Sequence, residues 1–254
     1  MTTGENAMAT ALVSRESWLA RYGVTAYSAI AVLCAGIALV GFWPTYFGHL
    51  LSSALNVLPI IHVHAIVFAG WLSLVIAQAV LAGTGRIAWH MKVGRIGMLH
   101  GVLVVFVGEA TAFSAFGARV RAGDIAQAQA QLFAPVTDLL VFAPFLAAAW
   151  AYRDRPDVHK RLIVVATTIL LIAPVHRAAN WIFGGPPPPL LPVLLLWSAP
   201  IILGLAVDFA RRRAVHPVYL LGIAAIVFLK FLRRPLARTD AWQDFVVWVT
   251  AFYT

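Results

Sequence analysis

Five side chains able to bind metals or protons fall inside apolar stretches of this sequence: His62 and His64 in IIHVHAIVFAGW, then Glu109, Asp138 and His176. Arg177 and Asn180 follow the last of them. Imidazole and carboxylate donors in a dry cavity suit a first-row transition metal ion. Two histidines with one or two carboxylates can hold zinc or iron and leave a position open for water. The expected metal ligands are therefore His62, His64, Glu109, Asp138 and His176, with Arg177 and Asn180 behind them. His62 and His64 point apart in a regular helix, so both ligate only if the helix begins after them. Otherwise His62 faces the segment before it, where His49 could join it. The alternative cofactor is haem b, which needs two imidazoles on different helices at similar depth. His64 and His176 would be its ligands, with Arg177 available for a propionate.

The elements that must position these groups are membrane-spanning helices. The chain of 254 residues is 61% hydrophobic and 11% charged, against about 25% charged in soluble domains. Apolar runs of about 20 residues can cross a bilayer, and seven are read: 24–43, 61–82, 94–117, 131–152, 161–183, 189–210 and 216–232. The fold class expected is an all-α, polytopic membrane bundle forming one domain. Residues 241–253 are expected as a short helix lying on the membrane. The first span reads as a retained helix and not a cleaved signal peptide. Residues 42–60 carry almost no charge and read as a lid; GGPPPP reads as a stiff turn. The single cysteine, Cys34, excludes a disulfide framework.

The formal charge of +9 sits in short clusters between spans. That is the pattern of loops against lipid headgroups, not of a nucleic-acid surface. With the N-terminus on side A, that side holds most of the loop charge, including Arg15, Arg21, Arg86, Lys92, Arg95, Arg153 and Arg155. Side A is therefore expected in the cytoplasm, and Trp18 and Trp43 are among the aromatics expected at interfaces.

At the helical rise, His64 lies roughly 5 Å below the side-B surface, Glu109 roughly 12 Å, and Asp138 and His176 roughly 10 Å. Four successive helices thus put an ionisable group in one slab, where such groups are costly and mark function by default. The third span is polar on two faces, through His100, Thr111 and Ser114 on one and Glu109 on the other, which predicts a central place for it. A non-enzymatic reading uses the same residues as a buried ion-pair or proton-relay network, in a transporter or an accessory subunit of a membrane complex. His90 and His159 lie in a weak internal repeat, RIAWHMK (86–92) and RPDVHKR (155–161), and are expected to meet headgroups or loop carbonyls. Asp208 is expected to pair with Arg211, and Lys230 to snorkel at the membrane edge.

The segments FWPTYF, HVHAIVFAGW, TGRIAWHMKVGRIG and RPDVHKRLIVVAT resemble those of a widespread group of bacterial multi-pass membrane proteins. The group's pattern is a His-x-His before an apolar span, a His with basic neighbours before Gly-Arg, and a His-Lys-Arg-Leu. The likeness covers roughly residues 42–180. It implies a helical membrane fold in a bacterial inner membrane and gives weight to His62, His64, His90 and His159, without lending a reaction. A looser similarity is to b-type membrane cytochromes, in which histidines at helix ends bind haem.

Overall fold

The computed structural model describes residues 25–52, 56–185 and 188–254. Residues 1–24, with Arg15, Trp18 and Arg21, lie outside them, as do 53–55 of the expected lid and 186–187 of the proline-rich turn. All regular structure among the described residues is helical. We number the helices α1 (Ala26–Leu51), α2 (Pro59–Gly83), α3 (Ile87–Arg121), α4 (Ile125–Ala151), α5 (Pro156–Leu170), α6 (Ile172–Ile182), α7 (Leu190–Arg212), α8 (Pro217–Val227) and α9 (Asp240–Thr250).

Local chemistry explains where these helices start and bend. Thr25 and Ser28 cap α1 reciprocally: the Thr25 hydroxyl accepts from Ser28 N–H at 3.2 Å and Ser28 Oγ accepts from Thr25 N–H at 2.7 Å. Proline stands at the first position of α2, α5 and α8, where its missing N–H costs nothing. Gly85 and Gly123 take positive φ in the turns joining α2 to α3 and α3 to α4, which lets both hairpins close tightly. Within α1 the backbone widens into a π turn, Trp43–Phe47, where Pro44 has no N–H to continue the ladder. The expected lid over 42–60 is therefore, as far as Leu51, a prolongation of α1.

Five helices, α1 to α4 and α7, are long and apolar enough to cross a membrane. The consecutive α5 and α6, bent by 46°, make a sixth span if counted together. Pro174 accounts for the bend, since it cannot donate to the carbonyl four residues back and its ring crowds it. At the break the Thr168 C=O accepts from Leu171 N–H at 3.1 Å and from the fully buried Trp197 Nε1–H at 2.9 Å, so the Thr168 carbonyl is satisfied inside the protein. The seventh expected span, 216–232, is α8 prolonged by a second π turn, Phe228–Leu232, and a last turn, Arg233–Leu236. It fails as one uninterrupted apolar helix.

The centre of the bundle is α5, not α3. Arg161, Leu162, Val164, Val165, Ala166, Thr167, Thr168 and Ile169 are all buried on α5, which touches α1, α4, α7 and α8. On α3, Leu99 is 72% and Phe106 70% exposed, a face for lipid. Two of the polar groups that suggested a central α3 have partners on α2 or on α3 itself. His100 Nε2 lies 2.8 Å from Val67 O on α2, and Thr111 donates to Val107 O at 2.7 Å on its own helix.

The α1–α6 contact depends on one small residue. A Cβ at Gly41 would run into the backbone of Pro174. Gly41→Ala is expected to destabilise the protein by about 1–3 kcal/mol, as overpacking does, read as a lower melting temperature in detergent. An unchanged melting temperature would show that the two helices do not meet there.

A second cluster lies at the side-B end, where Phe116, Val120, Ala128, Leu132 and Val136 of α3 and α4 pack on Val246 and Val249 of α9. Gln129 Nε2 donates to Thr250 Oγ1 at 3.1 Å. The C-terminal helix is thus docked on the α3–α4 hairpin, while Val247, Trp248 and Phe252 stay exposed on its other side.

Candidate functional site

At the side-B end the expected site residues fall into separate small groups. Tyr46 Oη lies 2.9 Å from His62 Nδ1, tying His62 to the end of α1. His64 stacks on Phe68 with ring centroids 4.0 Å apart, and its Nδ1 is buried without a partner. Arg177 is the charge that acts on His64, and its guanidinium stands 5.4 Å from the centre of the Phe42 ring. His176, the neighbour of Arg177 on α6, instead feels Lys230 and Arg233.

Asp138 is already paired. Arg233 Nη2 donates to Asp138 Oδ1, with both side chains largely buried. Arg233 therefore ties the prolonged α8 to Asp138 on α4. Glu109 Oε2, Asn180 Oδ1 and Arg233 Nε are buried with no hydrogen-bond partner among the described residues.

The five expected ligands do not converge. No group of three or more His, Cys, Asp or Glu side chains is placed to hold a metal ion among the described residues. At this end of the bundle α2, α3, α4, α6 and the prolonged α8 each carry an ionisable group, and the contacts among the site residues are Tyr46–His62, His64–Phe68 and Asp138–Arg233.

Tyr46, Lys230 and Arg233 were not expected at this end. The available signal was the spacing of Lys230 and Arg233, one helical turn apart, which put both on one face. Asp208 is likewise paired differently from expectation. It takes a forked contact from Arg161 on α5, Nε to Oδ2 at 2.7 Å and Nη2 to Oδ1 at 2.5 Å, and not from Arg211. His90 and His159, expected at headgroups or loop carbonyls, each bond a helix carbonyl and lie ring to ring at side A, 6.4 Å apart.

Comparison with protein-family models, with curated proteins and with solved structures finds no match. The multi-pass helical architecture, with apolar helices that belong in a lipid bilayer, is the level at which the chain is placed.

Proposed function

We propose that this chain is a proton-conducting carrier of a bacterial inner membrane, with side A in the cytoplasm and its proton-handling site in a polar chamber among the ionisable groups of side B. The observation that carries the reading is a set of buried, unpartnered polar atoms on the side-B halves of α2, α3 and α6: His64 Nδ1, Glu109 Oε2 and Asn180 Oδ1. Buried polar atoms in native proteins are partnered by protein, water or ligand, so these three call for water or an exchangeable ligand in the chamber. His64 and Glu109 can each take or release a proton there. A discontinuous helix bearing ionisable residues just past its break is the arrangement in which membrane carriers build their sites. Toward side A the polar groups continue through His100 and His90, roughly 14 and 29 Å along α3 from Glu109. The metal reading of His62, His64, Glu109, Asp138 and His176 has less support, because Arg233 already occupies Asp138.

The test is proton entry into vesicles carrying an internal pH dye, driven by a potassium diffusion potential. The wild type is expected to admit protons well above protein-free vesicles. Glu109→Gln and His64→Ala should each slow this by about tenfold or more, the scale of losing a proton-transfer group. Wild-type entry no faster than that of empty vesicles would sink the reading.

A further inference from the structure

The two copies of the internal repeat leave their arginines in different states at side A. In both copies the arginine is the N-cap of a helix, Arg86 for α3 and Arg155 for α5. In the second hairpin the cations are engaged by their own turn. Arg155 stands 5.7 Å from the centre of the Tyr152 ring. Arg153 stands 4.6 Å from that of Trp150 and donates to Trp150 O at 3.1 Å. Asp154 and Asp157 also lie in that stretch. The first hairpin has no carboxylate near it in sequence, since the chain carries no Asp or Glu from 17 to 108. The Arg86 guanidinium makes no hydrogen bond, ion pair or ring contact among the described residues.

Arg86 lines an open groove of about 420 Å³ together with Leu81 of α2 and with Trp89 and Val93 of α3. Arg86, Trp89 and Val93 are spaced i, i+3 and i+7, which puts them on one face of the helix. The Arg86 N–H donates to Leu81 O at 2.9 Å, so the arginine is tied to the α2 wall. Val93 lies roughly 9 Å along the helix from the first residue of α3. The groove therefore has a cation at the membrane edge and aliphatic side chains deeper in. Trp89 is 58% exposed between them, and Lys92 stands 5.3 Å from the centre of its ring. That adds a second cation beside the groove.

We propose that this groove binds an anionic phospholipid of the side-A leaflet, with its phosphate on Arg86 and an acyl chain along Leu81 and Val93. A guanidinium presents a fork of N–H donors that matches phosphate oxygens. Basic pockets between spanning helices bind anionic lipid headgroups, and indole rings belong at that level of the bilayer. Inorganic phosphate would use the cation but leave the aliphatic wall in water. A zwitterionic lipid would bring an ammonium group toward Arg86 and Lys92, with no carboxylate in this hairpin turn to receive it. Charge and shape together select an anionic amphiphile. The groove is at the opposite end of the bundle from His64, Glu109 and Asn180, so it stands independently of proton conduction.

The experiment is native mass spectrometry of detergent-purified, delipidated full-length protein. It is titrated with dioleoyl phosphatidylglycerol and, separately, with dioleoyl phosphatidylcholine. The first phosphatidylglycerol is expected to bind about tenfold more tightly, the scale of an arginine–phosphate contact beside a second cation. Arg86→Gln should abolish that preference. Arg155→Gln, whose side chain is engaged by Tyr152, should keep it. Both side chains are exposed, so both variants should melt at the wild-type temperature. Equal affinity of the wild type for the two lipids overturns the proposal without recourse to any variant. A preference that survives Arg86→Gln, or that Arg155→Gln removes to the same degree, also overturns it. Inorganic phosphate is the third titrant and should bind far more weakly than phosphatidylglycerol. If it binds as tightly and depends on Arg86, the groove takes a free anion and the lipid assignment falls.

Discussion

Asp208→Asn is expected to lower the stability of the protein in detergent by about 3–5 kcal/mol, the range for removing one partner of a buried ion pair. Arg161 is 1% and Asp208 3% exposed, so solvent does little to screen the charge left behind. The guanidinium is held on every side that the fold offers. It forks onto both carboxylate oxygens, donates through Nη1 to the Asp157 carbonyl, and stands 6.0 Å from the centre of the Tyr219 ring. Asparagine keeps a carbonyl oxygen for one of these bonds but removes the negative charge, and among the described residues no other carboxylate is paired with Arg161. The pair joins α5, the central helix, to α7, so the loss is felt at the core and not at an edge. Replacing both partners, Arg161→Met with Asp208→Leu, should recover most of the stability, since the cost lies in the uncompensated charge. Chemical or thermal unfolding in detergent checks this. A single variant as stable as the wild type would show that Arg161 reaches water or another anion when Asp208 is neutral.

The features of this fold that can be read from sequence are those with a local cause. Apolar length gives the first six crossings, because each span must bury its own backbone bonds. What sequence does not carry is the identity of a partner on another helix. Asp208 has Arg211 three residues away, yet it bonds Arg161, which is 47 residues distant. His100 Nε2 meets a carbonyl of α2, reached across Gly70, where a Cβ would meet the ring at 3.0 Å. Thr111 looked like a mark of burial, but a threonine can spend its hydroxyl on its own helix.

The same limit applies to the histidine motifs. The repeat of Arg-x-x-x-His is visible in the letters, but that the two hairpins bring their histidines together depends on how α3 and α5 pack. At the other end, Pro44 and Pro174 are legible as breaks, and the geometry uses both: one widens α1 above the chamber, the other turns α6 into it. The consequence is a bundle with polar ends of different character. Side B has the Asp138–Arg233 pair and the unpartnered atoms of His64, Glu109 and Asn180, whereas side A has the buried Arg161–Asp208 pair and the facing rings of His90 and His159.

Arg233→Gln should cost more than Asp138→Asn, although the two residues form one ion pair. Asp138 sits on α4 well inside the bundle with a short side chain, and its carboxylate is 13% exposed. Losing Arg233 strands that carboxylate, at about 3–5 kcal/mol. Losing Asp138 strands a longer cation at the end of α8, beyond the π turn Phe228–Leu232, from which an arginine can snorkel toward the interface. The Asp138→Asn loss should therefore be smaller, about 1–2 kcal/mol, the scale of a charge-assisted hydrogen bond. The double variant should resemble Asp138→Asn alone, because once the carboxylate is neutral the arginine has little left to compensate. A double-mutant cycle of melting curves in detergent measures this directly. Equal single effects that simply add would mean that the two side chains do not interact, and would detach α8 from the chamber. Coupling of the expected sign would instead make Arg233 the residue that sets the charge of Asp138, and hence how many mobile protons the side-B chamber can hold.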